Sequence, residues 1–247
     1  MANVEISFAP TSDHIHQIMH WMKHDDRKLS DGLIDNWNYI SQGFSENRMA
    51  VAFLGIVAVG FAVWKPHDEG IYTIEYLQIK SDVRKKGIGR NLVTRVEEML
   101  VSNGGLVMIG NSISDNSSAF WLEMGNMRLP QVIIGRKTTL RDESFMYKIL
   151  VDTLDPNKFS SGSDTLELWA HDDYKIEVGQ PADYVWSLEF EPETRKLAKP
   201  IIVAADGEWR IKWRINGVKH KNTIVKKFTP NESYGSFLIV RNLPLIN

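Results

Sequence analysis

IEYLQIKSDVRKKGIGRNLVTRVEEML, residues 74–100, runs from an alternating apolar stretch through a basic loop with two glycines into an amphipathic segment. Residues 71–79 have the period of a half-buried strand, whereas Leu92, Val93, Val96, Met99 and Leu100 recur at helical spacing over 89–102. The junction reads Val83-Arg84-Lys85-Lys86-Gly87-Ile88-Gly89-Arg90. Glycines let the main chain turn sharply and approach a ligand, and the first amides of a helix lack intrahelical acceptors. Those donors and the positive end of the helix dipole suit a diphosphate, with Arg84, Lys85, Lys86 and Arg90 adding charge. The same glycines would also serve a plain strand-to-helix turn. No Gly-Lys-Ser/Thr follows, and the third glycine of the dinucleotide fingerprint is absent.

Outward from this junction, residues 4–9 alternate as a strand, and Thr11, Ser12 and Asp13 offer caps to a helix carrying Ile15, Ile18, Met19 and Met22. His16, His20 and His24 share a helical spacing that a metal could use, but no Cys or Glu-x-x-His context completes a site, so they are expected to flank the helix as polar residues. A helical or irregular stretch (31–42) follows. Residues 49–65 read as two antiparallel strands turning near Gly55. Beyond the central helix come a strand at GGLVMIGN, a short helix at SSAFWLEMG stopped by Gly125, and closing strands at 131–135 and 144–150. The order implies a mixed central sheet flanked by helices, an α+β arrangement.

Composition shifts at DPNKFSSGSD (155–164), a linker signature that divides the chain into 1–153 and 154–247. Short alternating runs follow at TLELWAH, YKIEVG, DYVWSLEF, PIIVAA, EWRIKWRI, NTIVKKF and GSFLIVRNL, as in a small antiparallel sandwich or barrel. In EWRIKWRI, Trp209, Ile211 and Trp213 fall on one face and Arg210, Lys212 and Arg214 on the other. That basic stripe is either a docking surface for an acidic partner or an exposed face whose lysines discourage edge pairing; the second is favoured.

Across 247 residues, 29 Lys and Arg nearly balance 31 Asp and Glu, so nucleic acid is not expected as a partner. The absence of cysteine excludes disulfides, thiolate metal sites and a thiol nucleophile. With no basic leader and no apolar stretch near 18 residues, the chain is expected in the cytoplasm without a membrane span.

At Arg84-Lys85-Lys86-Gly87-Ile88-Gly89 the sequence resembles the GNAT superfamily of acyl-coenzyme-A-dependent N-acyltransferases, whose signature is Arg/Gln-x-x-Gly-x-Gly/Ala opening a helix after a strand. The likeness spans roughly residues 3–151, including IVAVGFAVW before the motif, FWLEMG (120–125) and ESFMYKIL (143–150). It implies a V-shaped opening between the fourth and fifth strands. Main-chain groups of Leu77, Gln78 and Ile79 would pair there with the pantetheine arm of acetyl-coenzyme A, and amides from Arg84 through Lys85, Lys86, Gly87, Ile88 and Gly89 to Arg90 would hold its pyrophosphate. Asn116, at the start of the aromatic helix, joins the expected coenzyme contacts. No metal site is implied. In such enzymes a primary amine attacks the thioester directly, so the protein positions the reactants and relays protons.

Glu75, two and four residues before Leu77 and Ile79 and on their face by alternation, is the expected base, directly or through water; an exposed strand carboxylate pairing with a cation is the alternative. Many family members place Tyr where this chain has Trp121, and an indole N–H cannot transfer a proton to the leaving thiolate. Tyr147 and Ser117 are substitutes, or solvent acts. Trp121 itself can simply pack in the core. The acceptor is an amine of a small molecule or a protein, and the β domain is expected to serve substrate choice or self-association as a homo-oligomer. The alternative is a non-catalytic two-domain binding or coenzyme-A-sensing protein that keeps the fold as a scaffold.

Overall fold

The computed structural model describes residues 4–29, 33–67, 70–112, 115–130, 144–156, 164–170, 179–233 and 235–244. Contacts divide the chain into two units, Met1–Arg128 with Asp142–Leu150, and Leu129–Arg141 with Val151–Asn247.

In the first unit, β1 (Val4–Ser7), β2 (Met49–Leu54), β3 (Val57–Pro66), β4 (Ile71–Ile79), β5 (Val107–Ser112), β6 (Met127–Arg128) and β7 (Ser144–Ile149) form one sheet of order β1-β2-β3-β4-β5-β7-β6. Only β4 and β5 run parallel; every other pair is antiparallel. Helices α1 (Ser12–Leu29), α2 (Trp37–Ser45), α3 (Ile88–Ser102) and α4 (Asp115–Glu123) cover it. A 3-10 turn at Leu33–Asn36 precedes α2 within the stretch expected as helical or irregular. The strand expected at 131–135 lies outside the described residues, as do most of YKIEVG and of the 155–164 linker.

The alternation that predicts the strands also sorts the core. Met49, Val51, Phe53, Phe61 and Val63 pack against Ile15, Ile18, Trp21 and Met22 of α1 and Ile40 of α2. The opposite face offers Ala50, Ala52 and Ala62 to Leu92, Val93, Val96 and Leu100 of α3. Small residues there let α3 lie close to the sheet, while the bulkier side chains fill the layer under α1 and α2. Leu92 is fully buried; Leu92→Ala is expected to cost about 2–5 kcal/mol of stability, read as a lower denaturant midpoint at unchanged slope.

Helix α4 ends where the sequence places a stop. Gly125 adopts φ +82°, and Asn126 N–H reaches Trp121 O at 3.0 Å while Gly125 N–H reaches Leu122 O at 2.9 Å. This left-handed C-terminal cap satisfies the last carbonyls and is one that only glycine enters without strain.

The second unit holds two antiparallel sheets. One has the order β12-β11-β8-β9 and the other pairs β10 with β13, where β8 is Thr165–Trp169, β9 Tyr184–Ser187, β10 Lys196–Ala204, β11 Arg210–Ile215, β12 Val218–Ile224 and β13 Phe237–Asn242. Trp209, Ile211 and Trp213 are buried as their alternation requires. The strand expected at NTIVKKF starts earlier, at Val218, and gives way to a 3-10 turn at Val225–Lys227. Lys219 stands exposed and Lys221 half-buried on β12, an edge strand among the described residues, where charge discourages pairing with another chain. Lys212 and Arg214 converge on Glu167 of β8, at 3.6 and 2.6 Å, so much of the basic stripe is neutralised within its own sheet.

Candidate coenzyme-binding and active site

The site begins where two strands part. β4 and β5 pair from Ile71 with Val107 to Ile74 with Gly110 and no further, while β4 continues along β3 to Ile79 opposite Gly60. β5 pairs with β7 from Val107 to Ser112, and past Gly110 that is its one remaining strand partner among the described residues. A fork therefore opens beside residues 75–79. Lys80 N–H bonds to Val59 O on β3 at 2.9 Å; by alternation Gln78 also turns its main chain to β3, and Leu77 and Ile79 turn theirs into the fork. Of the three residues expected to face a pantetheine arm, these two have the right orientation and Gln78 has not.

An irregularity in the β3–β4 register marks the same place. Val63 faces Tyr76 but Trp64 faces Ile74, leaving Glu75 as the extra residue of a bulge. Ile74, Leu77 and Ile79 accordingly pack in one cluster with α3, although simple alternation would separate them, and Tyr76 packs with α1 and α2. The expectation that Glu75 shares a face with Leu77 and Ile79 fails for this reason. Its carboxylate lies 3.6 Å from Arg48 Nη1, and Arg48 also bonds Glu46 and Trp64 O. Glu75 is thus a strand carboxylate paired with a cation, at the mouth of the fork. Beside it the Tyr76 phenol is pushed above its ordinary range by burial, then by the Glu75 charge and Tyr39. The Glu46 carboxyl is held low by hydrogen bonds from Gln42 and Arg48.

After β4 the chain makes a 3-10 turn at Ser81–Val83 and then the basic loop. Lys85 and Gly87 take left-handed φ values of +61° and +80°. Gly87 stands at the N-cap of α3 without a capping side chain. Among the described residues, nothing accepts from the amides of Lys85, Lys86, Gly87, Ile88, Gly89 or Arg90; the next amide, Asn91, bonds Gly87 O at 3.0 Å. A run of unpaired donors at a helix N-terminus is an anion site in waiting. Lys85 and Lys86 are exposed. Arg84 instead ties its Nε to Ile79 O at 2.8 Å, and Arg90 lies 3.4 Å from Glu123, so these two shape the loop as much as they charge it. Asp82 pairs with Lys80 at 2.9 Å, which keeps its carboxyl below the usual range.

Trp121 is 4% exposed and packs in the α3 cluster; a Cβ at Gly110, the last β5 residue paired with β4, would meet its ring at 3.5 Å. The indole fills the vertex of the fork. Tyr147 on β7 is nearly buried. Its neighbours Met146 and Lys148 face α3, Lys148 through Glu97 at 2.7 Å, so alternation sends Tyr147 to the opposite face, the side of Tyr76. Ser117 shares a hydroxyl cluster with Ser112 and Ser118, at 2.8 and 2.7 Å from the Ser112 oxygen. Asn116 is exposed in the first turn of α4. His14 is engaged, taking Thr11 N–H at 3.1 Å and lying edge-on to Phe53. Among the described residues no three His, Asp or Glu gather as a metal would need, and no helix is long and apolar enough to cross a membrane.

The sequence did not single out Arg48, which holds Glu75, or Asp25, whose carboxylate receives Ser81 N–H and Oγ–H at the head of the loop. Only the acidic residue in an otherwise apolar register of α1 hinted at the second.

Residues 15–125 match the family model of the acetyltransferase (GNAT) family. No curated protein matches the chain significantly. Among solved structures, the PaiA N-acetyltransferase from Thermoplasma acidophilum in complex with coenzyme A is 16% identical at a TM-score of 0.48, over 60% of this chain and 99% of that one. Ard1 from Thermoplasma volcanium is 15% identical at 0.49, over 62% and 100% of the two chains. N-acetylglutamate synthase from Neisseria gonorrhoeae, complexed with coenzyme A and N-acetyl-glutamate, is 14% identical at 0.49, over 62% and 36%. Residues 15–125 of this chain, which carry the sheet that forks between β4 and β5 and the glycine loop opening α3, are thus the part that matches the acetyltransferase (GNAT) family model.

Proposed function

We propose that the first unit is an acetyl-coenzyme-A-dependent N-acetyltransferase that moves an acetyl group to a primary amine by direct attack on the thioester. The observation that carries this is the run of six unpaired amides, Lys85 to Arg90, beside a fork edged by Leu77 and Ile79, where Ile79 O already accepts from Arg84 Nε. The amides and the lysines hold the diphosphate, Leu77 and Ile79 pair with the pantetheine amides, and the thioester comes to rest beside the bulge at Glu75. Glu75, through water, takes the proton of the incoming ammonium, and binding supplies proximity. Tyr147, on the sheet face of Tyr76, is the candidate donor to the leaving thiolate; its phenol is a group that can both give and regain a proton. Asn116 contributes at the rim. No residue need become acylated, so the lack of cysteine is no obstacle.

A specific observation favours a second reading. Trp121 packs at the fork vertex, against Gly110, at the position where the family resemblance would lead one to expect a tyrosine in many members. The unit would then bind coenzyme A without turnover, with the β unit engaging a partner. Calorimetry with acetyl-coenzyme A tests both readings, and no heat at millimolar ligand with folded protein ends both. Release of free thiol across polyamines, amino acids, aminoglycosides and lysine peptides separates them: appreciable turnover with any acceptor rejects the scaffold. In the enzyme reading the β unit serves acceptor choice or self-association.

A further inference from the structure

We infer that Asp25 of α1 is the residue that positions the diphosphate loop; this rests on the coenzyme site proposed above. Asp25 is 2% exposed, and a buried carboxylate is costly unless hydrogen bonds satisfy it. Both its oxygens are engaged by one residue: Oδ2 accepts Ser81 N–H at 2.8 Å and Oδ1 accepts Ser81 Oγ–H at 2.7 Å. The His24 ring stands beside it, with Nδ1 3.9 Å from Oδ1 on a largely exposed side chain. This carboxylate is therefore committed to one point of main chain.

That point is the hinge from β4 into the loop. Ser81 opens the 3-10 turn Ser81–Val83, whose N-cap residue Lys80 provides no side-chain cap. Asp25, far away in sequence, takes the capping role, as an N-cap carboxylate would for an unpaired amide. From Ser81 the constraint passes along the chain. Its carbonyl accepts Arg84 N–H at 3.4 Å, Arg84 Nε returns to Ile79 O at 2.8 Å, and the left-handed Lys85 and Gly87 follow. The six amides thus hang from a turn clamped at both ends, by Asp25 at its head and by α3 at its foot. Without the clamp the amides lose a common direction, and an anion that needs several of them at once loses most. The pantetheine arm, held at Leu77 and Ile79 upstream of Ser81, should hardly notice.

The test is calorimetry on the full chain with coenzyme A and with pantetheine, which lacks the diphosphate. Asp25→Ala is expected to weaken coenzyme A by about tenfold to hundredfold and to leave pantetheine within about twofold. Asp25→Asn, which retains one acceptor oxygen, should recover most of the loss, and Ser81→Ala, which keeps its N–H, should fall between. Equal weakening of both ligands by Asp25→Ala would mean a general structural role and overturn the assignment, as would unchanged coenzyme A affinity. If Asp25→Ala does not fold, the Asp25→Asn and Ser81→Ala pair decides by the same ratio of the two affinities. A wild-type chain that binds neither ligand would instead refute the coenzyme site itself.

Discussion

Gly87→Val is expected to weaken acetyl-coenzyme A binding by about a hundredfold or more while the protein stays folded. Gly87 sits at φ +80°, and a Cβ built there meets no heavy atom within 4 Å, so the substitution creates no clash in the free protein. Its cost to stability is the left-handed backbone alone, about 1–2 kcal/mol, which is a melting shift of a few degrees for a unit of this size. The ligand is affected far more. A branched side chain would project from the middle of six unpaired amides into the space a diphosphate must fill, and relief of its strain would turn those amides out of line. Calorimetry and a thermal melt on the same sample read the two effects separately. Retained affinity would show that the loop is a mere strand-to-helix turn.

Glu75→Gln is expected to reduce kcat by about a hundredfold to ten-thousandfold, with the coenzyme dissociation constant unchanged. The amide matches the carboxylate in shape, and Arg48 keeps Glu46 and Trp64 O as partners, so the bulge should persist. Only the capacity to take a proton is removed. The coenzyme contacts assigned to Leu77, Ile79 and the loop do not involve this side chain. Steady-state rates with any acceptor found in the amine panel, set beside binding titrations, check both halves. An undiminished kcat would move the base elsewhere and leave Glu75 as the partner of Arg48.

The sequence carried the strand, loop and helix around Gly87 because each is governed by neighbours within a few residues: alternation, a glycine pair, a repeat of Leu92, Val93, Val96 and Leu100. The burial of Trp209, Ile211 and Trp213 was legible for the same reason. The bulge was not, since an inserted residue leaves IEYLQI looking like an unbroken alternation, and the pairing with β3 is what reveals that Glu75 has no residue opposite it on that strand. Asp25 and Arg48 were missed because their partners are distant in the chain, Ser81 for one and Glu75 for the other. The early start of β12 was hidden by VKHK, a polar run that becomes a strand through hydrogen bonds to β11 at a solvated edge, without apolar burial to announce it. Tyr147 was named from its place in the chain alone; that it shares a sheet face with Tyr76 follows from the packing of Met146 and Lys148 on α3.

An amide-resolved NMR titration of the full chain with acetyl-coenzyme A would show directly whether a helix N-terminus holds the diphosphate. Resonances of Lys85 through Arg90 should move together and saturate, joined by Leu77 and Ile79 in the fork. Saturable binding that leaves those six amides in place and shifts others would contradict the account.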